Sequence, residues 1–330
     1  MEILEAAMLG DLKRIHTLLD DGADPNAKNA RGRTALMWAA LNGHAACVKA
    51  LLDGGGLADF QDKDGRTAIL LAASKGRDDC VNLLMDGGAT EDPTFTNESG
   101  ETVLHFAANI GSVARVRALL AAGAQVDAKT NFGDTPILLA VKNGHADCIA
   151  PLLAGGADLD QTHNHDDATL LIAAALAGHP ACVKALLAAG ADPNARDNDR
   201  TALHFAPRMH PGSAACVAAL LNAGADPNAK DNLGMTPLMY GALYGTTIQC
   251  ITLLLSGGAD PNARDGNGMT VLMLATLDER LTGLPNKNTR ELVKALLDGG
   301  ADPDIEDSRG NSLRSAKDVP EWCKRILRDY

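Results

Sequence analysis

Cysteine is the residue type whose spacing in this chain first suggests chemistry. Six of the seven, Cys47, Cys80, Cys148, Cys182, Cys216 and Cys250, recur about one or two multiples of 33 residues apart. Zinc needs thiolates at about 2.3 Å, and a disulfide needs Cα atoms within about 7 Å. Equivalent positions on neighbouring packed helices lie about 8–10 Å apart, so a ladder of this kind satisfies neither. The six are read as small buried apolar groups with reduced thiols, which fits a cytoplasmic setting. Cys323 stands outside the ladder and is expected to be reachable.

Histidine and aspartate converge once, at His163, His165, Asp166 and Asp167. Two imidazoles two residues apart could hold a transition metal weakly, but a firm site needs supporting groups behind its ligands, and a solvated loop is the simpler reading. Acidic pairs such as Asp20 with Asp21 and Asp78 with Asp79 fall where helix ends and turns leave charge in water. No GxSxG, P-loop, HExxH or dinucleotide fingerprint occurs in its proper context. The expectation is therefore no enzyme, no metal, no cofactor and no small-molecule substrate.

The elements that would carry these residues come from repetition. Thr34, Thr67, Thr102, Thr135, Thr169, Thr201, Thr236 and Thr270 open near-copies of one phrase at intervals close to 33 residues. Thr34 to His44 reads TALMWAALNGH, and Thr135 to His145 reads TPILLAVKNGH. Threonine caps a helix start, and Pro136 or Pro237 at the first helical position costs no hydrogen bond. The helix is about two turns long and ends at a glycine such as Gly43, Gly76, Gly144 or Gly178. A second helix follows with Val48, Leu51 and Leu52, or Val183, Leu186 and Leu187, at helical spacing. Gly190, Gly224 and Gly257 stop it. Helices this short are marginal alone, so the pairs must stack to bury their apolar faces.

These residues resemble the ankyrin repeat, whose pattern runs Thr-Pro-Leu-His-x-Ala-Ala, Gly-His, a leucine-rich helix and Gly-Ala-Asp-x-Asn-Ala. The motif proline survives only at Pro136 and Pro237, and the motif histidine only at His105 and His204, where the resemblance implies a hydrogen-bonded structural link. It implies an all-α ankyrin-repeat solenoid of about ten stacked helix-turn-helix units with hairpin-like loops. The whole of 1–330 is then one domain: an N-terminal cap over 1–29, eight repeats over 30–308, and a C-terminal cap over 309–330. An insertion at 278–290 is read as a tolerated loop, with a partner contact as the alternative. The link at 207–212 gains two residues, and 87–100 departs from the pattern.

The resemblance further implies a concave groove of hairpin tips and first helices that binds a partner protein. Solvent-facing positions in that groove carry specificity. Early repeats offer Arg31, Arg33, Lys63, Arg66 and Lys75 beside Trp38, Leu41 and Asn42. Later repeats offer Phe132, Leu233, Met235, Leu243, Tyr244 and Met269, with Tyr240 close by. The expected partner has an acidic end and an apolar anchor. Asn26, Asn194, Asn228 and Asn262 stand where ankyrin asparagines are hydroxylated by an iron and 2-oxoglutarate oxygenase, although a purely structural role in the turn is the simpler reading.

A formal charge of -12 opposes nucleic acid or anionic membrane as the main partner. No apolar run approaches the roughly 18 residues that span a bilayer, and the opening MEILEAAMLGDLKRIHTLL reads as an amphipathic helix, not a secretory signal. The expected function is a cytoplasmic protein-interaction scaffold or adaptor, monomeric when alone. The alternatives are a specific inhibitor or regulator masking an enzyme or transcription factor, or an effector exported by an intracellular bacterium.

Overall fold

The computed structural model describes residues 2–87, 96, 99–160, 162–163, 168–207, 211–244, 247–282, 289–316 and 319–330. Among them are nineteen α-helices and two short two-stranded antiparallel hairpins, Thr162–His163 with Ala168–Thr169 and Arg196–Asp197 with Arg200–Thr201. The fold is an all-α repeat solenoid, and its contacts gather into two compact units, Met1–Asp158 and Leu159–Tyr330.

The first unit holds five helix pairs. They are Glu2–Leu9 with Leu12–Asp20, Ala35–Asn42 with Ala45–Asp53, Ala68–Ala73 with Asp78–Asp86, Val103–Asn109 with Val113–Ala121, and Pro136–Lys142 with Ala146–Ala154. The second unit holds Leu170–Leu176 with Pro180–Ala188, Ala202–Phe205 with Ser213–Asn222, Pro237–Leu243 with Ile248–Ser256, Val271–Thr282 with Thr289–Asp298, and the single helix Glu321–Ile326. Within each unit, first helices pack on the first helices of neighbouring pairs, and second helices on second helices.

Local chemistry sets these boundaries. The hydroxyls of Thr34, Thr102, Thr135 and Thr236 accept the backbone N–H three residues on, and Pro136 and Pro237 sit at the first helical position. Gly43, Gly76, Gly144 and Gly178 all take positive φ where the first helix ends. The second stop differs slightly from expectation. Gly190 and Gly224 have positive φ, but in the later repeat Gly258 makes the left-handed turn and Gly257 remains right-handed.

Burial follows the helical period. In the pair Leu170–Leu176 and Pro180–Ala188, the side chains of Leu170, Leu171, Ile172, Cys182, Val183 and Leu186 are almost fully buried, and each large one is worth about 1.5–3 kcal/mol of transfer free energy. The second leucine of each second helix behaves otherwise. Leu52 and Leu187 are only half-buried, because that leucine lies over the next repeat: a Cβ on Gly87 would stand 2.7 Å from Leu52 Cδ1. All seven cysteines are free and buried. Cys323 is included, contrary to expectation, because the last helix turns it inward.

Two segments depart from the regular unit. The repeat that opens at Thr201 replaces the usual tip glycine with Asn198 and Asp199, at φ 43° and 66°. A two-residue hairpin turn demands this pair of positive φ values, and Asn and Asp tolerate them better than other non-glycine residues. The expected loop at 278–290 is partly helical. Helix Val271–Thr282 runs 12 residues, since no glycine stands where other first helices break and Leu277, Glu279, Arg280 and Leu281 favour continuation. Residues 283–288 lie outside the described set, as do most of 87–100 and the link residues 208–210.

Candidate protein-binding surface

Six hairpin tips are each held by one polar side chain that accepts the amides two and four residues on. Asn29 Oδ1 takes the N–H groups of Arg31 and Arg33, and Asp62 Oδ1 those of Asp64 and Arg66. Thr130 does the same through its hydroxyl, and Asp231, Asp265 and Asp307 through carboxylates. Adjacent tips then join edge to edge: the Lys63 amide donates to the Arg31 carbonyl at 3.0 Å, and the Gly266 amide to the Leu233 carbonyl at 2.8 Å. The tips are thus pre-ordered, which lowers the entropic cost of binding through them.

In the first unit the structure separates the expected basic residues. Arg31, Lys63 and Lys75 are exposed and Arg66 is half-buried. Arg33 is only 8% exposed. Its Nε donates to Asp62 Oδ2 at 3.1 Å, the Nε of Arg66 reaches the same oxygen at 3.2 Å, and the Arg33 guanidinium covers the Trp38 ring at 5.1 Å. Arg33 is therefore a strut between fingers and not a surface cation, and Trp38 is half-buried beneath it. Leu41 and Asn42 are also half-buried, Asn42 because its side-chain amide donates to the Met8 carbonyl at 3.0 Å. Phe132 is 77% exposed at its tip.

The second unit sorts the expected apolar residues in the same way. Leu233, at 65%, and Tyr244, at 50%, are open to solvent, as is Leu243. Met269 is half-buried. Met235 and Tyr240 are buried at 7% and 9%, which corrects their placement on the open surface. The Met235 carbonyl takes the Nε2–H of buried His204 from the preceding repeat, and Tyr240 donates its hydroxyl to Asp231 Oδ2 at 2.8 Å. Tyr240 also stacks against Tyr244, with ring centroids 5.7 Å apart.

Sequence reasoning missed Met8, Leu9 and Leu176, all exposed. The signal was present, since they occupy the same positions before Gly10 and Gly178 that Leu243 and Tyr244 occupy at the end of a later first helix. Leu57 and Leu12 are exposed as well.

A family model of ankyrin repeats in three copies matches residues 3–94, 89–163, 139–231 and 210–307. The chain belongs to the ankyrin-repeat family. Ankyrin repeats generally mediate protein–protein interactions, and proteins built from them are typically non-enzymatic interaction modules. No curated protein matches the chain. Among the described residues no helix is long and apolar enough to cross a membrane.

The ankyrin motif histidines act as cross-repeat links. The Thr102 amide donates to His105 Nδ1 at 3.0 Å, and His105 Nε2–H donates to the Asp134 carbonyl at 3.1 Å. His204 repeats the arrangement with Thr201 and Met235. Burial holds both imidazoles below their ordinary pKa, against smaller raising effects of the carbonyls and nearby carboxylates. The Gly-His histidines bridge backwards: His44 Nε2–H donates to the Met8 carbonyl and His145 Nε2–H to that of Asn109. A Cβ on Gly10 would stand 2.7 Å from the His44 ring, so glycine there both turns the chain and makes room for the imidazole.

The four ankyrin asparagines are engaged at both ends of their amides. Asn26 donates to the Gly55 carbonyl and accepts from the Leu57 amide. Asn194 and Asn228 bridge in the same way to Gly224 and Asp226, and to Gly258 and Asp260. Asn262 reaches Gly300 and Asp302. Each asparagine ties its repeat to the next. Among the described residues no group of three or more His, Cys, Asp or Glu is placed to hold a metal; His165, Asp166 and Asp167 lie outside those residues, as does the side chain of His163.

Proposed function

We propose that this ankyrin-repeat chain is a scaffold or adaptor that binds a partner protein through its hairpin tips and first-helix ends. The observation that carries the reading is the exposure of Leu233, Leu243 and Tyr244 in the second unit, on a tip and helix end that internal hydrogen bonds hold in place. Large apolar side chains kept in water on a rigid frame mark interfaces, where tyrosine in particular is enriched. In the first unit Arg31, Lys63 and Lys75 give the tips and helix ends a basic character suited to carboxylates of a partner. The net charge of -12 disfavours a phosphate polymer in that role, and seven buried free thiols support a reducing, cytoplasmic setting.

Affinity capture with the wild-type chain and with a Leu233→Asp, Tyr244→Ser variant, compared by quantitative mass spectrometry, tests this reading. Both side chains are exposed, so the variant should keep its far-ultraviolet circular dichroism. At least one protein should be retained by the wild type and lost by the variant. Identical captured sets would reject the site.

A further inference from the structure

The second unit carries a cleft unrelated to the fingertips. It has a volume of about 670 Å³ and lies between helix Thr289–Asp298 and the last helix, Glu321–Ile326. Arg290 and Lys294, four residues apart, line one wall, while Trp322, Arg325 and Ile326 line the other. The Arg290 guanidinium lies over the Trp322 ring, 5.4 Å from its centre.

Charge in the cleft is unbalanced. Two carboxylates also line it, Glu291 and Glu321, but Glu321 has Arg328 at 3.9 Å. Among the described residues no ion pair takes up Arg290, Lys294 or Arg325. Three cations therefore face one uncommitted carboxylate, on a chain whose formal charge is -12. An anionic ligand is repelled by most of the molecule and attracted here. A bare inorganic anion would leave the Trp322 and Ile326 wall unused, and a long phosphate polymer is disfavoured by the net charge of -12.

We propose that this cleft is a second docking site, which takes an acidic peptide segment with aliphatic side chains among its carboxylates. Arg290 and Arg325 bind the carboxylates as charge-assisted hydrogen-bond donors, Lys294 adds a point charge, and the indole of Trp322 with Ile326 receives an aliphatic side chain. The site is built by a second helix and the last helix, so it stands or falls independently of the fingertip surface.

The test titrates a soluble peptide of alternating glutamate and leucine into the full chain carrying Trp38→Phe, which leaves Trp322 as the single indole of the two in the sequence. Expected is a saturable change in Trp322 emission that weakens as salt rises, and a loss of roughly tenfold in affinity for each of Arg290→Glu and Arg325→Glu. A lysine-leucine peptide of equal length should give no change. Isothermal titration of the unmodified chain provides the same reading should any variant fold poorly. The proposal is overturned by the absence of saturable binding in both assays, by inorganic phosphate alone binding as tightly as the peptide, or by peptide affinity that the two charge reversals leave unmoved.

Discussion

The hydroxyl of Tyr240 donates to Asp231 Oδ2 at 2.8 Å, while Asp231 Oδ1 holds the amides of Leu233 and Met235 at 2.9 and 2.8 Å. One buried carboxylate thus fixes both the tip that displays Leu233 and the ring on which Tyr244 stacks. Tyr240→Phe should keep the fold, lower stability by about 1.5–3 kcal/mol as expected for a bond to a charged acceptor, and loosen the tip. Urea unfolding gives the first quantity, and faster exchange of the Leu233 amide reports the second.

The asparagine bridges are unevenly distributed. Asp127 stands where Asn228 does in its repeat; it accepts the Asp158 amide at 3.3 Å but has no N–H to donate to the next repeat. Asp127→Asn supplies that donor and should raise stability by about 0.5–1.5 kcal/mol. Asn228→Ala should lower it by about 1–3 kcal/mol, since a carbonyl and an amide lose a partner together. Chemical denaturation of both variants checks the pair of signs.

Both asparagine ends are occupied, so hydroxylation at Asn26, Asn194, Asn228 or Asn262 requires the modifying enzyme to unseat a bridged side chain. Intact-mass spectrometry after incubation with such an oxygenase should show more modification in an Asp260→Pro variant, which removes the amide donated to Asn228, than in the wild type.

Stability should also depend on pH through His105 and His204. Both are held neutral in the fold, with pKa below the ordinary value, and burial is the main cause. In the unfolded chain they protonate near about pH 6.5. The unfolded state therefore binds more protons as the solution acidifies, so their contribution is complete above about pH 6.5 and declines as pH falls from there towards the folded-state values. Replacing both by asparagine should flatten the fall in thermal midpoint between roughly pH 7 and pH 5; an unchanged slope would mean other groups cause it.

Thiol reactivity offers a check on the core. Burial raises the Cys80 and Cys216 pKa to about 11 and also pushes up Cys47 and Cys148. Iodoacetamide at neutral pH should leave the native chain essentially unlabelled, Cys323 included, and label all seven cysteines once urea unfolds it.

Much of this architecture was legible because its causes are local. The Thr34 cap, Pro136 at a helix start and Gly43 at a helix end act within a few residues, so their types announce their roles. Exposure of the tip and helix-end residues was less legible, since it depends on the neighbouring repeat. Arg33 and Met235 hold the same place before a capping threonine and both look solvent-facing, yet Arg33 is drawn inward to Asp62 of the next repeat and Met235 is buried where its carbonyl meets His204 of the preceding one. The burial of Tyr240 is likewise hidden from the sequence, because the partner of its hydroxyl, Asp231, stands nine residues earlier on the tip and only folding brings the two together. Met8 and Leu9 escape notice in the sequence because the opening segment reads as a cap, although its first helix ends as those of the later repeats do.

Hydrogen exchange of the chain with its captured partner bound tests the proposed surface most directly. Slowed exchange should concentrate at the tip amides of Leu233 and Gly234 and at the helix end around Leu243 and Tyr244. Protection confined to second helices such as Ile248–Ser256, with the tips exchanging as in the free chain, would contradict the account.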